Sequence, residues 1–189
     1  MSNEVNVDAE SIKKSAEDLV ELIKLRTFPF GMKLFENVDD MLSIKGLRTP
    51  SDGKFFTTCQ LVTQVRTAGF TLGIVQNNLR PGSSCGANIG LEVVPEDVSS
   101  GQKMTGVWFG NQEAAAKHQA QMPRVEAGKY TGLAASPLRT GRLDPPDICL
   151  FYASPGQMIL FINGLQYHNY RRYDFTPVSY THLTLPTMS

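Results

Sequence analysis

Apolar residues recur at helical spacing across residues 8–26. Ile12, Ala16, Leu19, Val20 and Ile23 share one face, Asp8 stands where an N-cap belongs, and Leu22 and Leu25 widen the stripe. The spacing predicts a helix packed on a core. Pro29 and Gly31 break it, and residues 32–36 read as a short strand. Val38–Leu42 adds a helical turn before the polar loop 46–53. A short apolar run, a small polar residue and a helix then follow one another three times. Phe55 and Phe56 precede Thr57 or Thr58, the N-cap of a helix that Gly69 closes. A strand at 107–109 leads through Asn111 into an alanine-rich helix stopped by Pro123. A strand at 148–152 leads through Ser154, with Pro155 at the first helical position, into an apolar helix over 157–165. Residues 70–75 and 129–138 read as further strands. The pattern predicts a mixed α/β (α+β) fold in which strand–cap–helix units pack in layers. The helix at 157–165 is apolar nearly all round and is expected to be buried.

Composition narrows the partners. Lys plus Arg and Asp plus Glu each number 18, so the formal charge is zero and gives no electrostatic basis for binding nucleic acid or an anionic membrane. The first residues, "MSNEVNVDAESIKK", are acidic and lack the apolar core of a signal peptide. The longest apolar run, 158–162, is far too short to span a bilayer. Three cysteines make no disulfide framework in a chain of 189 residues. Together these features predict a cytoplasmic protein; they specify no oligomeric state.

The ending "VSYTHLTLPT", residues 178–187, has a different character. It is the translation of GTC TCT TAT ACA CAT CTG ACG CTG CCG ACG, which resembles the reverse strand of a transposase-based sequencing adapter. The flanks are compatible: Pro177 can be encoded by CCT, as the adapter requires, and the Met188 codon, ATG, begins with A. Residues 178–189 are therefore expected to be foreign, His182 carries no functional weight, and residues 1–177 are expected to form one α/β domain whose own C-terminal part is missing.

Candidate chemistry gathers around two cysteines. "TTCQ" and "SSCG" each place a cysteine, Cys59 and Cys85, directly after two hydroxyl residues at a predicted helix start. There the free N–H groups and the positive end of the helix dipole favour a thiolate, the form that attacks electrophiles or binds metal. The two lie 26 residues apart with no CxxC motif, a spacing that matches no zinc or iron–sulfur pattern. A plain core role is the alternative for both, and more so for Cys149 inside an apolar strand. In "RPGSSCGANIGLE", Gly82, Gly86 and Gly90 recur every four residues around Ser83, Ser84 and Cys85. Small residues admit close backbone approach, and a hydroxyl-rich helix start holds an anion, although no phosphate-loop motif is met. Lys33, charged within a predicted strand, is a further candidate contact for an anionic ligand, and a half-exposed strand that places it in water is the favoured alternative. "YHNYRRYDF" places Arg171 and Arg172 at a helix end rather than in a base-stacking surface. His118 and His168 complete no catalytic or metal motif.

Several of these motifs, in order, resemble the uncharacterised prokaryotic ArCR family, a domain of unknown function. "PFGMKLF" is similar to its opening strand around a lysine, and "TTCQLVTQVRTAG" to its cysteine before a helix. "SSCGANIGLE" resembles its second cysteine, and "PPDICLFYASPGQMILFINGLQY" its strand–helix unit. The resemblance covers most of residues 27–173. It implies a further segment with another cysteine beyond this point, and it implies no activity. The expectation is a pocket for a small molecule or cofactor of unspecified identity where the Cys59 and Cys85 segments meet, lined by Ser83, Ser84, Gly86 and Lys33. The alternative is a cysteine-dependent enzyme, or a metal or iron–sulfur protein using Cys59 and Cys85, completed by the missing segment.

Overall fold

In the computed structural model, which describes residues 8–81, 84–170 and 172, Asp8 caps the first helix as its position predicts. Its Oδ1 accepts a hydrogen bond from Ser11 N at 2.7 Å, and α1 (Ala9–Ile23) ends where Lys24 turns left-handed at φ 55°. Ala16 is buried, and Ile12, Leu19, Val20 and Ile23 are half-buried beside it. Leu22 is 76 % exposed, so the inward stripe is narrower than the sequence suggests.

The remaining elements are β1 (Phe30–Phe35), α2 (Val38–Leu42), α3 (Thr58–Ala68), β2 (Leu72–Val75), α4 (Ser84–Asn88) and α5 (Glu96–Ser99). After them come α6 (Gln112–Ala120), β3 (Gly132–Pro137), β4 (Ile148–Leu150) and α7 (Pro155–Asn169). The fold is mixed α and β, as expected. The chain falls into two units, Met1–Tyr152 and Ala153–Ser189.

The first unit is built on a four-stranded antiparallel sheet in the order β2-β3-β1-β4. Because side chains alternate across a strand, the register sorts each residue to one face. Phe30 and Met32 of β1, Leu72 and Ile74 of β2, and Leu133 and Ala135 of β3 share a buried cluster with Leu61 and Val65 of α3. The opposite face carries Met41 of α2 against Ala134 and Leu143. All six residues of β3 are buried, and its small side chains admit cover on both sides.

Helix α3 is fixed from both ends and along its face. The Thr57 hydroxyl accepts from Gln60 N at 3.1 Å, while Gln60 Oε1 accepts from Thr57 N at 2.9 Å, a reciprocal capping box. Leu61 and Val65, one turn apart, are fully buried, and Gly69 closes the helix in the left-handed conformation.

Three expectations fail for local reasons. Phe55 and Phe56 form no strand; Phe56 makes a single parallel bridge to Leu79. Residues 107–109 form a turn, in which Gly106 N donates to Phe109 O and Trp108 N to Met104 O. With Val107 70 % exposed, that run meets no sheet. In the second unit, Ser154 caps α7 through its own capping box, yet Ile159 and Leu160 are 59 % and 58 % exposed. A helix apolar on every side needs cover on every side, and this face has none among the described residues. No helix among the described residues is long and apolar enough to cross a membrane. The tail at 178–189, with His182, lies outside them, as does Arg171.

Urea denaturation is expected to rank three substitutions. Leu61→Ala should cost about 3 kcal/mol by opening a cavity in the main core, and Thr57→Ala about 1 kcal/mol by removing the cap. Leu22→Ala should stay within about 0.5 kcal/mol.

Candidate functional site

Two backbone hydrogen bonds bring the cysteine segments together. Phe56 N donates to Asn78 O at 2.7 Å and Arg80 N donates to Phe56 O at 3.1 Å, so the strands entering α3 and α4 run side by side in the same direction. Cys59 follows Phe56 by three residues and Cys85 follows Leu79 by six. Both helices thus start from neighbouring chains, and α3 packs against α4. Cys59 is exposed at the second position of α3; Cys85 is half-buried at the second position of α4.

The glycines of the second segment have separate tasks. Gly90, at φ 77°, terminates the α4 turn in the left-handed conformation. Leu91 N donates to Gly86 O at 3.1 Å and Gly90 N to Ala87 O at 3.3 Å, the paired bonds of a Schellman reversal. The reversal folds Glu92 back over Gly86. A Cβ on Gly86 would lie 2.7 Å from Glu92 Oε2 and 3.1 Å from Leu79 Cδ1, so the carboxyl occupies the space a side chain there would take.

Two buried polar atoms at this junction have no hydrogen-bond partner among the described residues: Glu92 Oε2 and Thr58 Oγ1. The cap of α3 is supplied by Thr57, which leaves the neighbouring Thr58 hydroxyl unused by the helix. Burial pushes the Glu92 carboxyl above the usual carboxylate range, because the charged form loses solvation. A carboxyl that keeps its proton longer can donate a hydrogen bond as well as accept one.

Other expected site residues divide. Ser84 opens α4 and Gly86 lies within it, whereas Gly82 and Ser83 lie outside the described residues. Lys33 is not brought to this place. Its register partner is Ala134, on the α2 face of the sheet, and its Nζ donates to Asp144 O at 3.2 Å. Cys149 is not a core residue. It sits on the edge strand β4 in register with Gly31, and the thiol is exposed. Partial desolvation still pushes its pKa up, away from the thiolate. Among the described residues, no group of three or more His, Cys, Asp or Glu is placed to hold a metal ion. His118 instead packs its ring against Phe109, centroids 5.1 Å apart.

The order of motifs from the β1 lysine through both cysteines to the β4–α7 unit is matched by one family model, over residues 18–179. The chain belongs to the uncharacterised ArCR family. No curated protein and no solved structure matches this ArCR chain. Thr58 entered the sequence reading only as a helix-cap candidate, and Glu92 only as the end of the glycine-rich stretch. The only available signal was Glu92 standing next to a small-residue reversal that Gly90 and Leu91 complete.

In this ArCR protein the raised Glu92 pKa sets a pH dependence. Folded protein holds the proton more tightly than unfolded chain, so Glu92 costs no stability below its unfolded pKa. The full penalty is present once pH has risen through the folded pKa. Glu92→Gln should therefore gain stability over wild type across that interval and match it at lower pH, read by denaturation at stepped pH. Gly86→Ala should push the carboxyl outward, and NMR titration should find its pKa nearer the ordinary value.

Proposed function

We propose that this protein is a cytoplasmic module that binds a small molecule or cofactor at the α3–α4 junction, between the Cys59 and Cys85 segments. The observation that carries this reading is the pair of buried, unpartnered polar atoms, Thr58 Oγ1 and Glu92 Oε2, at the start of one cysteine helix and over the other. Leaving such atoms without partners costs about 1–3 kcal/mol each, a cost that a bound polar ligand relieves. Ser84 and Gly86 belong to the same segment, and Cys59 offers an exposed thiol at its rim. The balanced formal charge favours a small partner over a polyanion.

A second reading is cysteine-dependent chemistry, as an enzyme or as a metal or iron–sulfur protein using Cys59 and Cys85. It is favoured by Glu92, whose raised pKa beside Gly86 suits a proton donor to a reaction at the neighbouring thiol. Any metal in this reading takes further ligands from outside the described residues.

Native mass spectrometry with metal analysis of anaerobically purified protein separates the two. The binding module predicts a bound organic mass that Cys59→Ser and Glu92→Gln each deplete. Bound iron, sulfide or zinc lost in Cys59→Ser and Cys85→Ser would establish the second reading instead. Protein with neither, whose two thiols are alkylated at unrelated rates in wild type and Glu92→Gln, contradicts both.

A further inference from the structure

The end of α3 opposite the cysteines is surrounded by arginines. Arg66 lies in its last turn, Arg139 Nη2 comes within 3.5 Å of where a Cβ on Gly69 would be, and Arg48 and Arg142 line a cleft of about 400 Å³ with Gly69, Phe70 and Thr71. Among the described residues, no carboxylate forms an ion pair with any of these four guanidinium groups. A helix C-terminus attracts cations, but its macrodipole amounts to only about half a negative charge. Four positive charges far exceed that.

The two arginines of the cleft are held in different ways, and both keep donors available. Arg48 lies over the Phe70 ring, 4.6 Å from its centroid. A cation–π contact of this kind holds the guanidinium group without using a hydrogen-bond acceptor. Arg142 is anchored by a chain of hydroxyls whose direction can be worked out. Thr140 Oγ1 donates to Pro137 O at 2.8 Å, so it accepts from Ser136 Oγ at 2.8 Å. Ser136, its one proton spent, accepts from Thr71 Oγ1 at 2.8 Å, and Thr71 in turn accepts from Arg142 Nη1 at 2.8 Å. Thr71 and Ser136 are 2 % and 1 % exposed, so the chain is a fixed internal support rather than a surface contact. Gly46 completes the wall. Its φ of 75° suits glycine, and a Cβ there would press on the Arg142 guanidinium at 3.1–3.2 Å.

From this geometry we infer a second ligand site, in which Arg48 and Arg142 bind a small anion bearing a carboxylate or phosphate group. The site is independent of the cysteine junction. A cleft of this size falls within the range of small-molecule sites, and planar guanidinium donors suit both oxyanions in bidentate geometry. The adjoining cleft of about 260 Å³ shares Arg48 and Phe70 and adds Lys54, Thr49 and Ser51, which extends the site for the rest of an anionic molecule.

Isothermal titration of the full chain at low ionic strength, with inorganic phosphate and with succinate as separate probes, tests this site. Chloride at matched ionic strength serves as the reference. Saturable binding of either probe is expected, weakened about tenfold or more in Arg48→Gln and in Arg142→Gln. The preferred probe distinguishes a phosphate ligand from a carboxylate. Arg48 makes its backbone bonds to Thr71 and Gly73 whatever its side chain, so Arg48→Gln should fold even if Arg142→Gln does not. Heat that chloride reproduces, or equal affinity in folded Arg48→Gln, would overturn the inference.

Discussion

The bridge between Phe56 and Leu79 is the contact on which the proposed cysteine site depends. Two hydrogen bonds align the chain entering α3 with the chain entering α4, and Leu79 itself is buried in the main core. The bridge makes the chains that enter the two cysteine helices neighbours, although the cysteines stand 26 residues apart in sequence. The core beneath gives the bridge its rigidity, because Leu61, Val65 and Leu79 pack with the same sheet residues.

The two faces of the sheet support different side-chain groups. Its α3 face supports the cysteine helices, while Thr71 and Ser136, neighbours in register on the other face, support Arg142. Helix α3 links both, with a thiol and an unused hydroxyl at its start and guanidinium groups around its end. The formal charge of the whole chain is zero, yet its distribution is uneven. A net value therefore argues against a polyanion and says nothing about a local anion site.

Where a signal was local, the sequence was sufficient. Asp8, Thr57, Asn111 and Ser154 all cap the helices their positions predict, and the mixed fold follows from those elements. Signals that depend on distant neighbours were illegible. The apolar run at 107–109 has strand composition but no partner strand, and Cys149 has a core context but an edge position. The glycine repeat suggested room for a ligand, but at Gly86 the space is taken by the chain itself. That the approaching group is Glu92 depends on the Schellman reversal, which two specific backbone bonds define. The hydroxyl chain behind Arg142 joins residues 71, 136 and 140 through strand register, which no spacing in the sequence reveals.

The most direct test of the shared cysteine site is proximity of the two thiols in native protein. With Cys149 replaced by serine, a short bifunctional thiol reagent should link Cys59 to Cys85 within one chain, as mapped by peptide mass spectrometry. The link should disappear when the protein is unfolded before reaction. Native protein in which both thiols take up the reagent singly and no link forms would contradict a common site.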